Sequence, residues 1–199
     1  MKKLILTLMI LSVVGLSYAQ EEEEKMQTLI KAPSKIRGYV GPLININTIA
    51  GEMGYMSGFI ASGIFNDNIL FGFYSQNLET PMYSNNDDYL GAEMDFEHHG
   101  ISLGYIFMPK KMIHFAAILY AGKGSVGVYD DLTEKWVNDN LIFNLNPMLE
   151  LEINMFRFLR VGVGVNYNLA FDVDQINGYS DKDFSGLGGN LSLKFGWYK

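Results

Sequence analysis

The sequence predicts an all-β protein: an eight-stranded antiparallel up-and-down transmembrane β-barrel with a side-chain-filled interior. Three observations predict it. Long segments alternate apolar with polar or small residues at period two, and the connections between them tend to alternate short with long. Beyond an N-terminal targeting segment, no window holds the roughly 18 consecutive apolar residues that a membrane-crossing helix needs.

Composition agrees. The 199 residues suit one domain, and 21 Gly, 12 Tyr and 13 Phe against 5 Pro favour an ordered, β-rich chain over a disordered one. The absence of cysteine excludes a disulfide scaffold, thiolate metal sites and cysteine nucleophiles. A net charge of −7 without a basic stripe argues against nucleic acid as a partner, because nothing supplies the phosphate-neutralising term that dominates such binding.

Taken in order, residues 1–19 read as a secretory signal peptide. Lys2 and Lys3 form a basic start, 4–16 is an apolar run, and Ser17-Tyr18-Ala19 places small residues at −3 and −1 of a cleavage site. That run is too short, at about 1.5 Å per residue, to cross a hydrocarbon core of about 30 Å as a helix. Residues 20–35 open with Glu21-Glu22-Glu23-Glu24, which self-repel, and read as an acidic flexible periplasmic tail. Residues 36–199 form the barrel domain.

Its strands are expected near 36–48, 52–65, 69–77, 99–107, 112–129, 140–153, 159–173 and 184–198. The seventh is the clearest: Leu159, Val161, Val163, Val165, Tyr167, Leu169, Phe171 and Val173 alternate with Arg160, Gly162, Gly164, Asn166, Asn168, Ala170 and Asp172. Connections at 66–68, 108–111 and 154–158 are short, and those at 78–98, 130–139 and 174–183 are longer and polar. Only the first hairpin, around 49–51, breaks the alternation. A soluble barrel would turn its apolar face inward and show water a charged face. Here the polar face is rich in Gly and Asn and carries few charges, which suits the crowded inside of a narrow barrel, with the apolar face toward lipid. Eight strands enclose a space that side chains fill.

Several motifs resemble a known family. They are Gly38-Tyr39-Val40-Gly41-Pro42, the tight Ile49-Ala50-Gly51 hairpin, Ile64-Phe65-Asn66-Asp67 leading into Ile69-Leu70-Phe71-Gly72, and Glu150-Leu151-Glu152-Ile153-Asn154 followed by Phe158-Leu159-Arg160-Val161-Gly162. With Ser185-Gly186 and Leu193-Lys194-Phe195-Gly196 they resemble the small outer-membrane β-barrel proteins of Bacteroidota-type bacteria, of the OmpA/OmpX-like eight-stranded class. The resemblance runs from about residue 36 to 199. It implies a fold and a place in the bacterial outer membrane, and no activity.

The sharpest constellation for chemistry is Glu150 and Glu152 against Arg160. A tight turn centred on Phe156 sets Glu152 opposite Arg160 on the inner face, with Glu150 one inward position away and Lys194 inward on the next strand. Two readings compete: a paired-carboxylate site for acid/base work, and an interior salt-bridge network in which buried charges pair because unpaired ones are costly. A filled lumen favours the network.

Adjacent His98 and His99 point to opposite faces and do not share a metal; His99 and Glu97 share a face, which reads as ordinary loop polarity or as a cation site at the loop base that lacks a third ligand at the right spacing. Asp87, Asp88, Asp130, Asp131, Asp172, Asp174, Asp181 and Asp183 gather in the outer connections, where they are either solvated or offer oxygens to divalent cations bridging a surface glycolipid. Ser102 and Ser125 lack any nucleophile-elbow or other catalytic motif. Tyr39, Tyr55, Phe107, Tyr120, Tyr129, Trp136, Tyr167, Trp197 and Tyr198 suit either interfacial girdles or the plain β-propensity of aromatic residues. Met53, Met56, Met94 and Met112 read as lipid-facing filler or as part of an interface.

The expected role is therefore non-enzymatic, structural or surface-interacting. A small-ligand or narrow-channel barrel and a lipid-modifying enzyme are the alternatives. The implied partners are outer-membrane lipids, surface glycolipid and the barrel-assembly machinery, with a monomer favoured and no cofactor or metal expected.

Overall fold

The computed structural model describes residues 35–84, 90–130, 135–173 and 179–198, without the side chains of 130 and 135–140. The expected signal peptide, the tail up to residue 34, and Asp87, Asp88, Asp131 and Asp174 lie outside the described residues.

The strands are β1 (Ile36–Ile49), β2 (Glu52–Phe65), β3 (Ile69–Leu78), β4 (Met82–Tyr83), β5 (Glu93–Phe107), β6 (Ile113–Asp130), β7 (Lys135–Asn154), β8 (Leu159–Phe171) and β9 (Gly186–Trp197). All but β4 close into a ring of eight, each pairing antiparallel with its neighbours, with β1 against β9 and β3 against β5 completing the circle. Closure leaves the body of the ring without an unpaired edge; the part of β7 before Phe143, which pairs with β6 alone, and β4 run past it. β4 is a two-residue ribbon that pairs only with the start of β5, as Met82 with Met94 and Tyr83 with Glu93.

Period-two patterning decides which side each residue takes. Phe59, Phe73, Phe115, Leu149, Val163, Val165 and Leu191 are exposed around the outer wall, while the alternate positions of the same strands are buried. Two turns carry the backbone that hairpins need. Ala50 and Gly51 have φ of 50° and 84°, and Asn66 and Asp67 have φ of 51° and 70°. Both are left-handed pairs whose twist matches that of the flanking strands.

The two ends of the barrel differ. One carries the start of β1, the end of β9 and the short turns after β2, β5 and β7. The other carries the Ala50-Gly51 turn and the connections after β3, β6 and β8. Its rim is slanted, because β6 and β7 run 18 and 20 residues while β1 and β2 turn back after 14 each.

The interior is packed in tiers. Toward the termini, Leu43, Ile60, Ile64, Leu70, Ile106 and Ile118 form an apolar cluster with Tyr39, Tyr74 and Tyr120. Buried amides follow: Asn45 donates to Gln76 at 2.9 Å, Asn166 to Asn47 at 2.8 Å and Asn144 to Asn168 at 2.9 Å. At the loop end Ile49, Met56, Met82, Met94, Phe96 and Ile142 form a second apolar cluster, stoppered by Phe184 from a short 3-10 turn, Asp181–Phe184.

Several expectations are corrected. β5 begins at Glu93 and not at 99, and β7 at Lys135 and not at 140, so stretches expected as loops are paired strand. Phe184 belongs to the 3-10 turn that closes the lumen and not to the last strand. Tyr39 and Tyr120 point into the barrel and take no part in a girdle, unlike exposed Tyr55, Phe107, Tyr167 and Trp197. Met56 and Met94 are core residues, whereas Met53 and Met112 are exposed. The turn after β7 is centred one residue later than expected. Asn154, and not Glu152, stands opposite Arg160, and Glu152 faces Gly162. The sum of paired residue numbers stays even, so every side chain keeps its face.

Candidate functional site

The charged residues of the lumen gather toward the end that carries the termini. Glu150 and Glu152 come from β7, Arg160 from β8, Lys194 from β9 and His114 from β6. Lys194 stands opposite Arg160, and His114 stands opposite Glu152, in the strand ladders. All five are at least 95% buried.

Lys194 is the hub. Its Nζ donates to the Glu150 carboxylate and, at 2.5 Å, to Glu152 Oε1. Glu150 also accepts from the Ser192 hydroxyl at 2.5 Å and from Asn190 Nδ2 at 3.0 Å. Glu152 Oε2 accepts from His114 Nε2 at 2.7 Å and from Arg160 Nη1 at 3.3 Å, which reaches it diagonally. The other His114 ring nitrogen, Nδ1, faces the Lys111 carbonyl at 3.2 Å. Two carboxylates thus face two fixed cations, and each carboxylate collects three donors, which is what lets ions remain buried.

Local sequence explains the room for this cluster. A Cβ on Gly162 would strike the Glu150 carboxylate and come within 2.5 Å of Ser192 Oγ, so the glycine of β8 is the space the Glu150 side chain fills. Tyr39 packs its ring 5.3 Å from Lys194 Nζ, and Tyr198 lies 3.8 Å beneath the Arg160 guanidinium.

Glu150, Glu152, Arg160 and Lys194, singled out from sequence, are thus in one cluster. Sequence reasoning missed His114, Asn190 and Ser192. Their signal was available, because His114 shares its parity on β6 with inward Ala116, Ile118 and Tyr120, and Asn190 and Ser192 share theirs with Lys194. Chemically the cluster holds charge in place. Its carboxylates are wrapped by donors and closed off by side chains.

The other candidates are dispersed. His98 is buried, its Nδ1 3.3 Å from the Tyr74 hydroxyl, and His99 is outside. Among the described residues no group of three His, Asp or Glu is placed to hold a metal ion. Asp181 accepts from the Val173 amide and Asp183 from Ser180, both at 2.8 Å, so these carboxylates build the loop. Ser102 is buried 3.1 Å from Ser62 and faces away from lipid. Ser125 is on the outer wall and donates directly to Glu97 at 3.4 Å, with no imidazole between them to activate the hydroxyl.

No protein-family model and no curated protein sequence matches the chain. Among solved structures it is similar to Neisserial surface protein A, at 11% identity and a TM-score of 0.61, over 85% of this chain and all of that one. It is also similar to the attachment invasion locus protein of Yersinia pestis, in a complex with the heparin analogue sucrose octasulfate (13% identity, TM-score 0.47, 81% of this chain and 96% of that one). A major outer membrane protein from Thermus thermophilus is a further match (10% identity, TM-score 0.48, 82% of this chain and 100% of that one). The first of these carries the structural argument. The fold is that of a small, closed, eight-stranded antiparallel barrel of the outer-membrane kind.

Proposed function

We propose that the chain is an integral protein of a bacterial outer membrane, exported by a cleavable leader over residues 1–19, with a structural or surface-interaction role and no enzymatic activity. One observation carries this reading: a belt of apolar side chains surrounds the outer wall while Glu150, Glu152, Arg160 and Lys194 point inside. A soluble barrel of the same topology would leave Phe59, Phe73, Phe115, Val163 and Phe195 in water, an exposed apolar surface far beyond the few hundred Å² that soluble monomers usually tolerate. In lipid the same wall is stabilising, and the ladder satisfies the backbone without water.

The tiered interior and the Phe184 stopper favour a surface role over conduction, since a filled lumen gives ions no continuous wet path. The connections at the loop end are then the parts that meet the environment. The resemblance of the strand motifs to barrels of Bacteroidota-type bacteria supports the same placement. The partners this implies are outer-membrane lipids, surface glycolipid and the barrel-assembly machinery, with the chain acting as a monomer.

The test is heat-modifiability. The chain folded in detergent micelles is expected to be β-rich by far-UV circular dichroism and to migrate faster unboiled than boiled on a gel. A chain that folds and stays soluble without detergent refutes the reading.

A further inference from the structure

All three arginines of the chain, Arg37, Arg157 and Arg160, line one cavity of about 570 Å³ at the end that carries the termini, together with Lys35 and Lys110. Asp67 is the acidic side chain of that lining, and it is already engaged with Arg37 at 2.7 Å. Arg160 is held by Glu152 behind the lining, so Lys35, Lys110 and Arg157 are three cations without a carboxylate of the lining to answer them, on a chain whose net charge is −7, a local inversion of sign that an anion would relieve.

Arg160 supplies the second observation. It is only 4% exposed, yet its Nε is buried without a hydrogen-bond partner while Nη1 is held by Glu152. Leaving a buried guanidinium N–H without an acceptor is costly, and an oxyanion entering the cavity from the termini end would remove that cost. Tyr198 under the guanidinium fixes its plane, which favours the paired N–H···O contacts that arginine makes to oxyanions. Around the same mouth, Met112, Met155, Phe156, Phe158 and Trp197 are exposed, an apolar rim suited to acyl chains.

We propose that this mouth is a binding site for a phosphate-type oxyanion, either the headgroup of an anionic phospholipid in the adjoining leaflet or free phosphate. The site goes beyond the proposed surface role, which concerns the opposite end of the barrel.

The test uses the chain folded in neutral-detergent micelles, nitrogen-15 labelled, so that its three arginine Nε–Hε signals are resolved. It is titrated with sodium phosphate, with sodium chloride as control, and separately with short-chain phosphatidylglycerol against phosphatidylcholine. The Arg160 and Arg157 signals are expected to move saturably with at least one of the two anionic probes. Saturation by phosphatidylglycerol at lower concentration than by phosphate identifies the headgroup as the source, and equal or tighter response to phosphate identifies the free anion. The double variant Lys110→Gln/Arg157→Gln changes only exposed side chains, keeps the fold, and is expected to weaken the response about tenfold. Signals that move no more than with chloride or phosphatidylcholine, or a double variant that responds like the parent, overturn the proposal. Gel mobility reads the membrane assignment separately, so failure here leaves that assignment standing.

Discussion

At the scale of single residues, the decisive feature is that Lys194 joins two carboxylates with almost no solvent to help. Lys194→Met keeps most of the volume and removes the charge, leaving Glu150 and Glu152 without their shared cation. The expected cost is about 3–5 kcal/mol, the usual penalty for breaking a buried ion pair from one side. Urea unfolding in micelles checks it, and an unchanged midpoint would show that the network contributes nothing. Arg160→Ala is expected to cost less, about 1–3 kcal/mol, because Glu152 keeps Lys194 and His114. Much of this cluster was legible in the sequence, since parity alone puts Glu150, Glu152, Arg160 and Lys194 on the inner face. Who touches whom was not legible, because that depends on the turn at 155–158. There the amides of Met155 and Phe156 both reach the Leu159 carbonyl, at 3.1 Å each, and shift the pairing by two residues. His114 was overlooked because it sits alone in its segment with no charged neighbour at period two, although its parity with Ala116 and Ile118 already placed it on the inner face.

At the scale of elements, the strands that read most clearly are those whose outer faces are apolar throughout, β8 and β9 among them. β5 and β7 were harder: the loop-end half of β5 carries Glu97 and His99 outward, and 135–140 includes Lys135, Asn138, Asp139 and Asn140, compositions that look like loop although the backbone is paired. The 3-10 turn is the other element that patterning misjudged. Phe184 shares the even parity of inward Asn190, Ser192 and Lys194, but the chain there is not strand: the Ser180 and Asp183 capping box turns it, and the ring enters the lumen from the 3-10 turn. There it meets Phe96 at 5.5 Å and Tyr179 at 5.8 Å between ring centroids. Phe184→Ala is expected to cost up to about 3–5 kcal/mol where the site does not collapse. Hydrogen exchange should show the loss locally, with protection falling at 181–184 and at Ala50, whose amide bonds the Asp183 carbonyl, before it falls in β7 and β8. Uniform loss across all strands, or none at all, refutes a stopper of that kind.

For the whole molecule, closure of the ring and the packing of its interior are local consequences of alternation and turn chemistry, which is why the fold class could be read before any contact was known. The loops are a different matter. Their sequences have no partner fixed by pattern, so the barrel is expected to tolerate their replacement. Exchanging 85–89 and 131–134 for Gly-Ser segments of equal length should leave the heat-dependent gel shift intact, and loss of that shift would assign these segments a part in folding. The slanted rim has one more consequence. Past the level of Leu141, an exposed apolar side chain of β7, the β6–β7 ribbon continues for five or six residues on each strand. At about 3.3 Å per residue and a tilt near 40°, that lifts its tip roughly 15 Å above the lipid surface. The β1–β2 turn, by contrast, lies close to that surface. A large partner approaching from outside would therefore meet one flank of the barrel first, the way a hull touches a pier at its bow, and the barrel would present a direction around its axis as well as a distance along it.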